Sequence, residues 1–501
     1  MSEPTSVTTW NGGSVRLAEL PPLPMERFLA ALGEAVADGA RVCSLFALPQ
    51  EGGALSLTAV LAFDEDGELA VFHSEPGVTA WPSLALTCPQ VHLFERELSE
   101  AWGLRPEGHP WLKPVRFAPP KRESSTPRPA AGVIDFYRVE GDEVHEVGVG
   151  PVHAGVIEPG HFRFQCHGEE VLHLELSLGY QHRGVERALL GGPNPRSLHY
   201  AETLAGDTTV GHALAYCELL ESLSACEVPA RAQALRAIAL ELERLANHTG
   251  DLGALAGDIG FLPTASFCGR LRGDFLNLTA ELCGSRFGRG LVRPGGVAFD
   301  VDAARIARLL ERLDRALTET REAVQLLWGA ASVQVRFEET GILSQEDAVS
   351  LGVVGLAARA SGLARDVRKD QPAGLYRFKQ LTVPVLSVGD VYARARLRQL
   401  ELERSGVFVR ELLSALPPGP VKANVGPLAA NTLAVSLVEG WRGEICHVAC
   451  TDAGGRFATY KVVDPSFHNW SALLLAMRGQ QISDFPLCNK SFNLSYCGFD
   501  L

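Results

Sequence analysis

Three stretches of the 501-residue chain gather residue types that can move protons or hold a cofactor. In GPVHAGVIEPGHFRF, His153, Glu158 and His161 stand among Gly and Pro, so a loop could present acid–base groups to a cavity; an ordinary surface loop explains the same composition. GYQHRGVER puts His182, Arg183 and Glu186 within one turn if a helix starts there. A cation pair beside a carboxylate can tune a redox centre or pass a proton, and it can equally be an ion-paired helix start. RLANHTGDLGALAGDIGF carries His248, Asp251 and Asp258 close together, where a His beside a carboxylate could relay protons and where aspartates could simply cap helices.

Metal sites would draw on Cys and His. EICHVAC offers Cys446, His447 and Cys450, yet as a strand it turns Cys446, Val448 and Cys450 to one side. That is the pattern of a half-buried strand of small apolar residues, so core is the better reading. Cys488 and Cys497 have no partner at a ligand spacing, and no CxxC, HExxH or GxxxxGK[ST] occurs. Structural zinc and P-loop nucleotide binding therefore find no support, and the expectation is that the chain binds no metal.

The elements that must position these residues fall into two groups. Residues 118–132, APPKRESSTPRPAAG, are rich in Pro and small or charged residues and read as a linker. Before it, residues 1–117 show a helical pattern at PMERFLAALGEAVADG and alternating runs at LSLTAVLAF and GELAVFHS, an α+β unit. After it, residues 133–501 open with strand-like HFRFQCHGEE and VLHLELSLGY and become helical. PARAQALRAIALELERLANH spaces Leu235, Ile238, Leu242 and Leu245 by three and four. DVDAARIARLLERLDRALTETREAVQLLW repeats the device behind Asp300, a good N-cap, with Ile306, Leu310, Leu313, Leu317, Val324 and Leu327. Helices of this length suggest a bundle core. GEICHVACTDAGGRFATYKVV reads as a hairpin turned at Gly454 and Gly455.

Composition limits the function classes. With 46% hydrophobic and 21% charged residues the chain is globular rather than disordered. A net charge of -13 with scattered basic residues argues against nucleic-acid binding. No apolar run reaches membrane-spanning length, and MSEPTSVTTWNGG lacks the regions of a signal peptide, so the expected location is cytoplasmic. Eleven Cys, an odd number and never in CxxC, fit a reducing compartment.

Taken in order, GPVHAGVIEPGHFRF, GYQHRGVER, ELERLANHTGDLGALAGDIGF, LVRPGGV, ETGILSQEDAVSLGVVGLAARASGLARDVRKDQP, GDVYARARLRQLEL and WRGEICHV resemble one family. It is the large subunit shared by membrane-bound group 4 nickel–iron hydrogenases and the 49-kDa subunit of respiratory complex I, an NADH:quinone oxidoreductase. The resemblance runs from about residue 148 to the C-terminus. FERELSEAWGLRPEGHPWLKPVRF is similar to the signature of the complex I 30-kDa subunit, through Phe94, Glu95, Arg96, Glu97, Trp102, Gly103, Gly108, His109 and Pro110. A 30-kDa-like unit fused ahead of a 49-kDa-like one resembles the large subunits of formate hydrogenlyase and hydrogenase-4. The implied fold is α+β, an N-terminal α/β unit followed by a mainly helical bundle with peripheral strands.

The resemblance also implies partners: an iron–sulfur small subunit like the complex I 20-kDa subunit, further peripheral-arm subunits and membrane-arm subunits, on the cytoplasmic face of the cell membrane. In that family two CxxC pairs hold the nickel–iron centre, because soft thiolates suit such a site. The first pair aligns on TLAGDTTVGHALAY, where Ala205 and Thr208 stand at the Cys positions and Gly206 between them. The second aligns on SFNLSYCGFDL, with Ser495 and Gly498 at the positions and Cys497 one residue off. The quinone-binding His and Tyr of the complex I branch are absent too: Ile157 or Glu158 and Gly206 stand near those positions.

What the resemblance retains is a polar scaffold. Asp258 and His248 match a quinone-site aspartate and a nearby helix His; Glu186, Arg359, Asp366 and Arg368 match positions that line or support the cavity facing the iron–sulfur subunit. The expectation is a redox-complex subunit without a nickel–iron centre, passing electrons from a partner's iron–sulfur cluster to a quinone or other acceptor. Asp258, His248, Glu186 and His153 would handle protons, with His182, Arg183, Arg359, Asp366 and Arg368 around the cofactor space. The alternative is a subunit that has lost its redox chemistry and remains for assembly.

Overall fold

The computed structural model describes residues 4–122, 130–153 and 157–501. The alternating runs near the N-terminus become strands Leu55–Phe63 and Glu68–Ser74, paired antiparallel across a turn of Asp, Glu and Gly. Arg41–Pro49 joins one edge, Val7–Thr9 the other, and Pro22–Leu23 lies parallel beside Glu68–Ser74. Helix Met25–Ala37 buries Phe28, Leu29 and Leu32, the spacing of one helical face, against this sheet. Helix His92–Trp102 ends at Gly103, whose φ of 67° is the left-handed C-cap that glycine adopts without strain.

The expected linker lies partly outside the described residues, at 123–129, and its described flanks carry no helix or strand. The segments on either side are not independent. Strand Ser14–Arg16 leaves the N-terminal sheet and pairs with Thr432–Ala434, completing a four-stranded sheet with Glu444–Thr451 and Phe457–Val463. Arg41 reaches across to Glu444 at 3.0 and 2.7 Å while also pairing with Asp64. One apolar core runs through both segments, from Phe28 and Val60 to Val448 and Phe467.

Strand Glu444–Thr451 corrects the half-buried reading of EICHVAC, because all eight of its residues are buried. Period-two alternation sends Cys446, Val448 and Cys450 into the core shared with the N-terminal sheet. Ile445 and Ala449 go into a second core beneath helix Thr209–Leu223. The hairpin to Phe457–Val463 turns at Asp452–Arg456, through the two expected glycines.

The helical part is built on Ala230–Asp258, which packs on Leu262–Cys283 and Val391–Ser414; Ala303–Trp328 packs on Leu262–Cys283. Leu235, Ile238, Leu242 and Leu245 are buried as their spacing predicts. The cap of Ala303–Trp328 is Asp302, whose side chain accepts from the Arg305 N–H, and not Asp300, which pairs with Arg231. The fold is thus α+β, with strands Val144–Val149, His161–His167 and Glu170–Ser177 forming a third sheet at the start of the second segment.

Candidate functional site

Two loops close on each other. Arg183 ties them: its guanidinium donates to the Thr203 and Leu204 carbonyls on one side and to the Cys497 carbonyl, at 2.8 Å, on the other. Arg442 holds the same loops, bidentate on Asp207 at 2.6 and 2.8 Å and bonded to Thr208 Oγ1 and the Asn493 carbonyl. The side chains brought together are therefore those of Ala205, Thr208, Ser495 and Cys497, with Gly206 and Gly498. Cys497 is the one thiol among them; burial, followed by the neighbouring Glu158, pushes it up to about 11, so it is a thiol and not a thiolate at neutral pH. Glu158 also accepts from the Cys497 N–H at 3.3 Å.

Asp464 fills the remaining space. A Cβ on residue 498 would lie 2.6 Å from Asp464 Oδ2 and 2.9 Å from Ser495 Oγ, closer than a real Cβ contact allows. Asp464 is the N-cap of helix Pro465–Ala476, with Pro at the first position, and accepts from the Ser466 N–H. Its other contact opens a buried row: Asp464 Oδ2 to His212 Nε2 at 3.1 Å, His212 Nδ1 to His447 Nε2 at 3.1 Å, and His447 Nδ1 to Tyr460 Oη at 2.9 Å. Burial pushes Asp464 up, but the His212 hydrogen bond and Arg442 outweigh it and hold the carboxyl below its usual range.

Glu186 sits apart, in the first turn of helix Val185–Leu189. His182 and Arg183 precede that helix rather than share its first turn. Their segment is pinned to the C-terminal residues, with His182 Nδ1 2.7 Å from the Asp500 carbonyl. Glu186 accepts from Lys461 at 3.1 Å and from the Val462 N–H, and Lys121 lies at 3.4 Å. Burial raises it, yet Lys461, Lys121 and Arg116 prevail and keep it far below the usual carboxylate range. It walls a cavity of about 460 Å³ together with Glu97, Arg116, His182, Tyr460 and Lys461.

His248 and Asp258 do not form the relay their spacing suggested. Ten residues apart on one helix, they are separated by roughly 15 Å. His248 Nε2 meets Glu401 at 2.8 Å, whereas Asp258 pairs with Lys490 at 2.7 Å. Asp251 takes Arg398 and Asn493, and none of these aspartates caps the helix.

Arg359, Asp366 and Arg368 form a buried ion network with Glu241, Arg244, Glu401 and Glu439. Arg359 reaches Glu401 and Glu439 at 2.8 Å, and Arg368 reaches Asp366 at 2.6 Å and Glu241 at 2.9 Å. Burial pushes Glu241 up, but Arg368, Arg244 and Ser405 hold it at about 2. Glu439 is left at about 7 by burial and Asp366, as expected where four carboxylates face three guanidinium groups.

His153 lies beside residues 154–156, which are outside the described residues, and its buried Nε2 has no hydrogen-bond partner. His212, His447, Tyr460 and Asp464 escaped the sequence reading as a group. The signal was the Asp-Pro of DPSF as a helix start; the partners come from three distant segments that no local pattern joins. Among the described residues no group of three or more His, Cys, Asp or Glu side chains is arranged to hold a metal ion.

Residues 258–434 match the family described as respiratory-chain NADH dehydrogenase, 49 Kd subunit. The chain is 32% identical over 350 residues to the carbon monoxide-induced hydrogenase of Rhodospirillum rubrum, covering 70% of this chain and 97% of that protein. It is 29% identical over 435 residues to formate hydrogenlyase subunit 5 of Escherichia coli, covering 83% of this chain and 76% of that one. With an NADH-quinone oxidoreductase subunit of Solibacter usitatus the identity is 30% over 319 residues, covering 63% of this chain and 86% of that one. The chain belongs to the complex I 49-kDa family, which these hydrogenase subunits share, and is a subunit of the oxidoreductase class. Among the described residues no helix is long and apolar enough to cross a membrane.

Proposed function

We propose that this chain is a peripheral subunit of a membrane-associated, complex I-like oxidoreductase. It takes electrons from a cluster in an adjacent iron–sulfur subunit and delivers them to a quinone or another small acceptor, without a nickel–iron centre of its own. Its N-terminal unit is 30-kDa-like; a formate hydrogenlyase match covering 83% of the chain reaches into the first 132 residues, which supports that fusion. The other partners are further peripheral-arm subunits and the membrane arm.

The observation that carries the reading is the donor set of the closed loops. A nickel–iron centre of the relatives' type asks for four thiolates. Here the loops that Arg183 and Arg442 tie together carry Ala205, Thr208, Ser495 and Gly498 with the single Cys497 thiol, and the carboxylate of Asp464 stands where a side chain on residue 498 would go. These residues do not fit that centre. A quinone instead takes up two electrons and two protons, so the enclosure needs proton donors. Glu186 handles protons at the separate cavity it walls with Lys461, His153 in its loop, and His248 and Asp258 in their own surroundings, within the ion network and beside Lys490.

The test is electron transfer to quinone in the purified complex, with Asp258→Asn beside wild type. A slower variant supports the role of Asp258; equal rates remove it. The second reading, a redox-inactive subunit retained for assembly, is favoured by the buried ion network, which is scaffolding on its own terms. It requires that removal of the chain collapse the complex while Glu186→Gln and Asp258→Asn leave turnover untouched.

A further inference from the structure

We infer that Tyr460, His447, His212 and Asp464 form a proton wire that delivers protons to the enclosure between the 205–208 and 495–498 loops. The inference rests on the functional reading above, which makes that enclosure the acceptor end.

The geometry sets the direction. Asp464 is ionised, so its Oδ2 accepts and His212 Nε2 carries the hydrogen. With a single hydrogen on its ring, His212 has only an acceptor left at Nδ1, which requires the hydrogen to sit on His447 Nε2. His447 Nδ1 in turn accepts from the Tyr460 hydroxyl. Burial keeps His447 neutral and Tyr460 protonated, as this pattern demands. All three hydrogen bonds point from Tyr460 towards Asp464. All four side chains are essentially without solvent exposure, so no bulk water competes for these bonds.

The Tyr460 end opens onto a cavity, and the Asp464 end reaches the closed loops. Tyr460 belongs to the strand that walls the cavity of about 460 Å³ beside Glu186 and Lys461. Asp464 Oδ2 occupies the place of a side chain on residue 498, inside the closed loops. The other groups facing the wire largely cancel. Arg442 beside Asp464 is paired with Asp207; His468 follows on the same helix. Glu186, the charge nearest His447, is neutralised by Lys461, and the uncharged Tyr216, Cys217 and Cys446 surround Tyr460.

One transfer balances as follows. The Tyr460 hydrogen passes to His447 Nδ1, the His447 Nε2 hydrogen to His212 Nδ1, and the His212 Nε2 hydrogen to Asp464. The carboxylic acid gives its proton to the reduced acceptor, and a proton drawn from bulk solvent through the cavity restores the Tyr460 hydroxyl. No electron moves along the wire, and the imidazoles return to their starting tautomers by ring reorientation. Asp464 is the group that meets the acceptor, and the other three are positioning and relay residues.

Two measurements test this. In the full-length chain carrying ¹⁵N-histidine, His212 and His447 should both be neutral with the hydrogen on Nε2; an Nδ1–H tautomer on either overturns the direction. In the purified complex, Tyr460→Phe and His447→Gln should lower kcat for acceptor reduction by about tenfold or more with KM unchanged, and alter the solvent deuterium isotope effect. Tyr460→Phe removes one oxygen and keeps the ring, so it guards against loss of folding in His447→Gln. A Tyr460→Phe complex with wild-type kcat and isotope effect overturns the wire. A wild-type complex without acceptor reduction defeats the functional reading instead, and the tautomers then still decide whether the row points towards Asp464.

Discussion

At the scale of single residues, the enclosure turns on one glycine and one aspartate. Because a Cβ on residue 498 would meet Asp464 Oδ2 at 2.6 Å, Gly498→Cys must displace the carboxylate that His212 and the Ser466 N–H hold. Overpacking of this kind costs about 1–3 kcal/mol. Denaturant unfolding should therefore show Gly498→Cys destabilised, and Gly498→Cys with Asp464→Ala less destabilised than the two single changes added together. Strict additivity would mean that the two side chains do not compete for the same space. The glycine was visible in the sequence as a departure from the CxxC pattern. The aspartate that answers it, 34 residues upstream, was not, because its meaning lies in a contact between segments.

At the scale of elements, periodicity did most of the work. The long helices, the hairpin at Gly454–Gly455 and the alternating N-terminal strands all follow from apolar spacing. Their ends were less legible. Asp300 and Asp302 are equally good caps by type, and the structure chooses Asp302 because its side chain reaches the Arg305 N–H at 2.7 Å. Asp302→Ala should cost about 1 kcal/mol in unfolding free energy, and Asp300→Ala, which loses a solvent-facing pair with Arg231, clearly less. The reverse order would return the cap to Asp300. Charge placement was illegible for a different reason. The resemblance puts Arg359 and Asp366 at positions that line or support a cavity, but their partners Glu241 and Glu401 come from the distant helices Ala230–Asp258 and Val391–Ser414, which no local pattern joins to them.

At the scale of the whole molecule, a continuous core and a buried ion network make stability depend on pH from both sides. Glu241, Glu401 and Asp366 have depressed pKa values in the fold. Their contribution is complete above the unfolded carboxylate range, near pH 4 to 5, and is lost as pH falls towards about 2. Glu439 and Glu243 are shifted the other way by burial, to about 7 and about 8, so the fold loses stability as pH rises from the unfolded carboxylate range to those values. Melting temperature should peak at about pH 4 to 5, near the unfolded carboxylate range, and fall on each side. Glu243→Gln, which keeps one of the two oxygens that accept from the Val210 and Gly211 N–H groups, should flatten the alkaline side. An unchanged alkaline slope in that variant would show that Glu243 is ionised throughout.

Family membership gives the molecule its class, and the proposal that it works without a nickel–iron centre rests on the side chains of the 205–208 and 495–498 loops. Metal analysis of the complex, purified from cells grown with added nickel, tests that departure most directly. Nickel far below one atom per chain is the expected result; stoichiometric nickel that is lost with Cys497→Ala would contradict the account at its centre.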